Sequence, residues 1–100
     1  MRYSYTSLFG RSYSALTKQE KDEIDRAIKD LSVHPYYPFP AMLSVHKLNG
    51  VLGTPTEDGK KRPPVWEMHA TGPLIITFQY GEDEIIFRNC GDHDAVLRSP

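Results

Sequence analysis

The chain has 100 residues, 39% of them hydrophobic and 25% charged, with 12 Lys+Arg against 13 Asp+Glu for a net charge of −1. That length supports one core, so a single domain over 1–100 is expected, and the composition excludes a disordered chain. The longest apolar run, Leu74-Ile75-Ile76, is far below the ~18 residues of a membrane span and too short for a signal peptide, so a soluble, cytoplasmic protein without a membrane partner is expected. One cysteine, Cys90, leaves no internal disulfide and no multi-cysteine zinc site.

The balanced charge does not advertise nucleic-acid binding for the whole chain. Its distribution is uneven. Residues 1–40 carry six basic and five acidic groups, 41–66 four and two, and 67–100 two and six. An anion-binding patch must draw on the first two segments.

In chain order, Arg2 to Thr6 alternates and forms a short strand. Leu8 to Leu16 places Phe9, Tyr13 and Leu16 at helical spacing, weakened by Gly10. Thr17 and Glu20 form a capping box, and Ile24, Ala27, Ile28 and Leu31 then make one apolar stripe on a charge-rich, solvated helix that Pro35 ends. Two proline-rich stretches, Pro35 to Pro40 and Gly50 to Pro64, read as loops or extended segments. Tyr36, Tyr37 and Phe39 between the prolines are expected to staple a loop to the domain rather than to form an RNA platform.

The second half changes period. Val65–Ala70, Leu74–Tyr80 and Glu84–Cys90 read as strands, with turns at Gly72-Pro73 and Gly81-Glu82-Asp83 and a stop at Gly91. The result is an α+β domain: a short N-terminal strand and two helices packed on one face of a small antiparallel sheet, the other face free to carry function.

Period-2 geometry sorts the strand residues. Trp66 and Met68 should face the helices, and Glu67 and His69 the open face. Ile85 and Phe87 share one face, and Ile86, Arg88 and Cys90 the other. With Val45-His46-Lys47 and Asp92-His93-Asp94 flanking, His46, Lys47, Glu67, His69, Arg88 and His93 are candidates for one concave surface. These types suit phosphodiester cleavage, which needs a base for the attacking oxygen, an acid for the leaving oxygen and cations for the charge on phosphorus. His34 before Pro35 caps a helix and is excluded. Lys60-Lys61-Arg62 is the only basic run and can grip phosphates. No metal site is expected, because the spacing offers no helical H-x-x-x-H and no cysteine partner.

The order of elements, with His46-Lys47-Leu48-Asn49-Gly50, Val65-Trp66-Glu67 and Phe87-Arg88-Asn89-Cys90-Gly91-Asp92-His93-Asp94, resembles the RelE/ParE superfamily of type II toxin–antitoxin toxins, and most nearly its YafQ-type endoribonucleases. The resemblance spans nearly the whole chain. It implies a ribosome-dependent mRNA endonuclease that uses the RNA 2′-hydroxyl and no cofactor or metal. The catalytic positions fall on His46, Glu67, His69 and His93. Phosphate-holding cations fall on Lys47 and Arg88, with Lys60, Lys61 and Arg62 as further RNA contacts. The implied partners are a cognate antitoxin encoded nearby, the ribosome and mRNA, with DNA reached only through the antitoxin. The alternatives are a ParE-like gyrase inhibitor without enzymatic activity, which needs no acid–base residues, or a non-toxic relative acting as an interaction domain. The sequence departs from the YafQ pattern at Pro73, where an aspartate is expected, and at Leu97, where an aromatic is expected. Leu74 stands where RelE relatives carry an arginine.

Overall fold

The computed structural model describes residues 1–55, 59 and 61–100. Five strands form one sheet: β1 (Arg2–Tyr5), β2 (His46–Leu52), β3 (Pro64–His69), β4 (Leu74–Gly81) and β5 (Glu84–Asp92). Their spatial order is β1-β5-β4-β3-β2. β1 joins β5 in parallel, and the other pairings are antiparallel. Among the described residues three α-helices, α1 (Ser7–Ser14), α2 (Lys18–Val33) and α3 (His93–Leu97), and a short 3-10 helix, Ala41–Leu43, complete the fold.

Local chemistry sets both long helices. The Thr6 side chain accepts from the Phe9 N–H and donates to the Arg88 carbonyl, capping α1 and tying it to β5. In α2 both halves of the capping box form: Glu20 N–H donates to Thr17 Oγ1 at 3.2 Å, and Thr17 N–H donates to Glu20 Oε1 at 2.9 Å. Ile24, Ala27 and Leu31 from the α2 stripe are buried against Phe9, Met68, Ile76, Phe78, Ile85 and Phe87. The expected α+β architecture, with two helices over one sheet face, is the one observed.

The sheet is mixed rather than antiparallel, because β1 runs parallel to β5, and a short helix, α3, forms where none was expected. Four further details differ from the sequence reading. β2 runs through Gly50 to Leu52, inside a stretch read as proline-rich loop. Its pairing with β3 supplies the hydrogen bonds that the local composition does not suggest. β5 passes through Gly91 to Asp92, because glycine tolerates the φ of 135° there. A register shift between β4 and β5 pairs Thr77 with Asn89 but Phe78 with Phe87. Arg88 is therefore an extra residue in a bulge, and the alternation inverts after it. Asn89 turns to the second face, and Cys90 joins the helix-side core instead of sharing a face with Arg88. Finally, that second face is not fully open. Val65, Ile75, Thr77, Gln79 and Asn89 are buried there, under α3 and the residues that follow it. Asn89 Nδ2 donates to the Ser99 carbonyl at 2.8 Å, and Thr77 Oγ1 donates to the Pro100 carbonyl at 3.4 Å.

The proline-rich loop is stapled at two aromatics. Tyr36 stacks on Tyr80, whose hydroxyl donates to the Pro35 carbonyl at 2.5 Å, and Phe39 meets Trp66 edge-on. Tyr37 stays 85% exposed.

Burial pushes the Cys90 thiol up from 9.0 to about 12. Cys90 should therefore resist iodoacetamide at pH 8 in the folded protein, with a thiolate fraction about 1,000-fold below that of the unfolded chain, and should react at once in denaturant. Because the unfolded chain releases this proton first, the same shift removes stability as pH rises from about 9 toward 12. Mass spectrometry of alkylated protein checks the first expectation, and denaturant midpoints across that pH range check the second.

A candidate active site of three histidines on one buried carboxylate

Three chain segments deliver an imidazole each to the same carboxylate. On the antiparallel ladder His46 of β2 lies opposite Glu67 of β3, so both project to the second face. His69 follows Glu67 by two residues and shares that face. His93 opens α3, where the Asp92 side chain caps the helix by accepting from the Asp94 N–H. The His93 N–H donates to the Pro73 carbonyl at 2.8 Å, which fastens α3 beside the β3–β4 turn and so beside His69.

Nε2 of His46 is 2.9 Å from Glu67 Oε2, Nε2 of His69 is 3.4 Å from the same oxygen, and Nε2 of His93 is 3.5 Å from Oε1. The rings form a row, with centroids 6.3 Å apart from His46 to His69 and 6.4 Å from His69 to His93. The Glu67 side chain is 3% exposed, whereas the three imidazoles are 38–52% exposed. A ligand arriving from solvent therefore meets the rings and never the carboxylate. Two of the remaining nitrogens are also engaged: His46 Nδ1 donates to the Ser44 carbonyl at 3.1 Å, and His93 Nδ1 is 3.4 Å from Asp94 Oδ1. Since a carbonyl only accepts, the contact with Ser44 makes Nδ1 of His46 the donor and leaves Nε2 facing Glu67.

The row thus brings together His46, Glu67, His69 and His93. It does not gather the cations expected beside them. Lys47 pairs with Trp66 on the opposite face of β2, its Nζ 5.6 Å above the indole. Strand alternation, which puts His46 on one side, puts its neighbour on the other. Arg88 sits in the bulge and donates from Nε to the Pro100 carbonyl at 3.0 Å and from Nη1 to Thr54 Oγ1 and Gln79 Oε1. Half-burial and the nearby Arg62 lower its pKa. Arg62 itself donates to the carbonyls of Gly53 and Leu52. Lys61 is exposed, and Lys60 lies outside the described residues. His34 caps α2 and donates to the Tyr36 carbonyl, away from the site.

Sequence reasoning missed Ser44, Asp94 and the Pro73 carbonyl. Two of these act through backbone atoms, which residue types do not announce; Ser44 also adopts φ 47°, ψ 49° to aim its carbonyl.

Replacing Glu67→Gln keeps the side-chain volume and removes the shared charge. In ¹⁵N-resolved spectra at fixed pH the ring nitrogens of His46, His69 and His93 are expected to shift together, while those of His34 stay in place. Movement of only one of the three rings would break the common-carboxylate description.

No family model and no curated protein matches the sequence. Solved structures do. The Escherichia coli DinJ–YafQ toxin–antitoxin complex contains a chain 16% identical with a TM-score of 0.69, covering 95% of this chain and 94% of that one. The RelB–RelE antitoxin–toxin complex of Methanococcus jannaschii contains one 13% identical with a TM-score of 0.65, covering 97% and 98%. A metal-bound toxin from Helicobacter pylori is 16% identical with a TM-score of 0.71, covering 96% and 98%. Here, among the described residues, no group of three or more His, Cys, Asp or Glu side chains is placed to hold a metal ion. The chain has the RelE-type fold, and YafQ is among the structures it is most like.

Proposed function

We propose that this protein is the toxin of a type II toxin–antitoxin pair and that it cleaves mRNA on the ribosome by acid–base chemistry. The observation that carries the reading is the row of three half-exposed imidazoles backed by one buried carboxylate. Phosphodiester cleavage by the RNA's own 2′-hydroxyl needs one group to take the hydroxyl proton and another to protonate the departing 5′-oxygen. As the new bond from 2′-oxygen to phosphorus forms, the bond to the 5′-oxygen breaks, leaving a 2′,3′-cyclic phosphate and a 5′-hydroxyl. Imidazoles suit both tasks near neutral pH.

In this scheme His46 or His69 is the base and His93 the acid. The spacing of about two ring widths lets two members of the row face the two oxygens at once. Glu67 holds the rings in register. With Lys47 on the other face and Arg88 engaged by Thr54, Gln79 and Pro100, charge on the phosphorane is met chiefly by the imidazoles themselves. Lys61 and Arg62, with Lys60, are then contacts for more distant phosphates of the mRNA or ribosome.

The expected partner is an antitoxin encoded nearby, in keeping with the RelB- and DinJ-bound structures that share the fold. No helix among the described residues is long and apolar enough to cross a membrane, and the ribosome places the proposed activity in the cytoplasm.

In a ribosome-programmed translation assay the wild-type chain is expected to cut the reporter mRNA and leave 5′-hydroxyl ends. His93→Ala and His69→Ala should each lower cleavage by roughly 10²- to 10⁴-fold, the usual worth of a general acid or base. Undiminished cleavage by His93→Ala would remove it from the mechanism. Intact mRNA accompanied by filamentation and DNA damage in expressing cells would favour the gyrase-directed alternative.

A further inference from the structure

The segment that leads into β2 forms, with Trp66 of β3, a groove of about 460 Å³ lined by Tyr37, Pro38, Phe39, Ser44, Val45 and Trp66, among others. Its volume is that of a small-ligand pocket, within the general range of roughly 300–1,000 Å³. Three observations bear on what it takes. Its lining holds no carboxylate, and the cation beside it is Lys47, poised over Trp66. Two of the loop aromatics, Tyr36 and Phe39, pack onto Tyr80 and Trp66, but Tyr37 touches only the edge of Phe39 and leaves its own ring 85% exposed. The groove also adjoins one end of the histidine row, because Ser44, one of its walls, gives its carbonyl to His46 Nδ1.

We propose that this groove is a nucleobase subsite for single-stranded RNA, in which Tyr37 stacks on the base next to the scissile phosphate and Lys47 meets the adjoining backbone. The proposal rests on the reading of the histidine row as an RNA-cleaving site and adds to it a determinant of where the strand is cut. Aromatic faces accept every base, and a neighbouring cation accepts the phosphate. At Leu97, where YafQ-type sequences are expected to carry an aromatic, this chain has an aliphatic side chain. Tyr37 supplies a stacking face on the other side of the row.

Trp66 is the only tryptophan in the sequence, so its fluorescence reports occupancy of the groove. Titrating the full chain with a 2′-O-methylated oligoribonucleotide, which lacks the attacking hydroxyl, should change Trp66 emission saturably. Tyr37→Ala removes an exposed ring with no hydrogen bond and should fold normally by circular dichroism. It is expected to weaken binding by roughly five- to a hundredfold, the range of base–aromatic stacking. Absence of any Trp66 response, equal affinity in Tyr37→Ala, or a response to the co-expressed antitoxin but not to RNA would overturn the subsite. Cleavage mapped in parallel separates the two readings. A wild-type chain that cuts mRNA, with Tyr37→Ala cutting at the same positions and rates, refutes the subsite and leaves the nuclease standing. A wild-type chain that cuts nothing refutes the nuclease, while the fluorescence titration still decides whether RNA enters the groove.

Discussion

A carboxylate that is 3% exposed is expensive to bury unless cations or donors surround it. Glu67 meets that demand with three imidazoles drawn from β2, β3 and α3. The dependence is mutual. Each imidazole sits half in solvent, where a side chain with two soft torsions would otherwise wander, and the shared carboxylate limits it to one arrangement. The nearest contact, 2.9 Å from His46, is a full hydrogen-bonding distance. The contacts from His69 and His93 are looser at 3.4 and 3.5 Å, and Glu67 Oε1 makes no hydrogen bond of its own.

Keeping three elements on one residue requires a stiff frame, and the second sheet face provides it. The Pro73 carbonyl fixes the start of α3. Asn89 bonds the Ser99 carbonyl with its amide and accepts from the Cys90 N–H. Arg88 braces Thr54, Gln79 and Pro100 across the same face. An arginine in a bulge read as a substrate cation is, in its observed geometry, a strut between β5, β4 and the segments on either side. The bulge makes this possible, because it frees Arg88 from the ladder and turns Asn89 toward the terminal residues.

α1, α2 and β3 were legible because their signals are local. Thr17 and Glu20 sit at the capping-box spacing, and Trp66, Glu67, Met68 and His69 alternate without interruption. The convergence of His46, Glu67, His69 and His93 followed from that alternation together with the family resemblance. Other features depended on partners far along the chain. The inversion after Arg88 arises from a mismatch in length between β4 and β5, which neither strand shows alone. Lys47 was assigned beside His46 by proximity in sequence, although alternation within β2 sends it to Trp66. The staples at Tyr36 and Phe39 agree with a structural reading of the loop, whereas Tyr37 departs from it because the neighbouring aromatics already occupy the available packing partners.

The most direct measurement of the central geometry is a nuclear Overhauser spectrum of the ring protons in the free protein. Ring centroids 6.3 and 6.4 Å apart place edge protons of adjacent imidazoles within reach of such transfer. Cross-peaks should link His46 to His69 and His69 to His93, and none should involve His34. Three rings that show no mutual contact, or a His93 that contacts neither neighbour, would contradict the account.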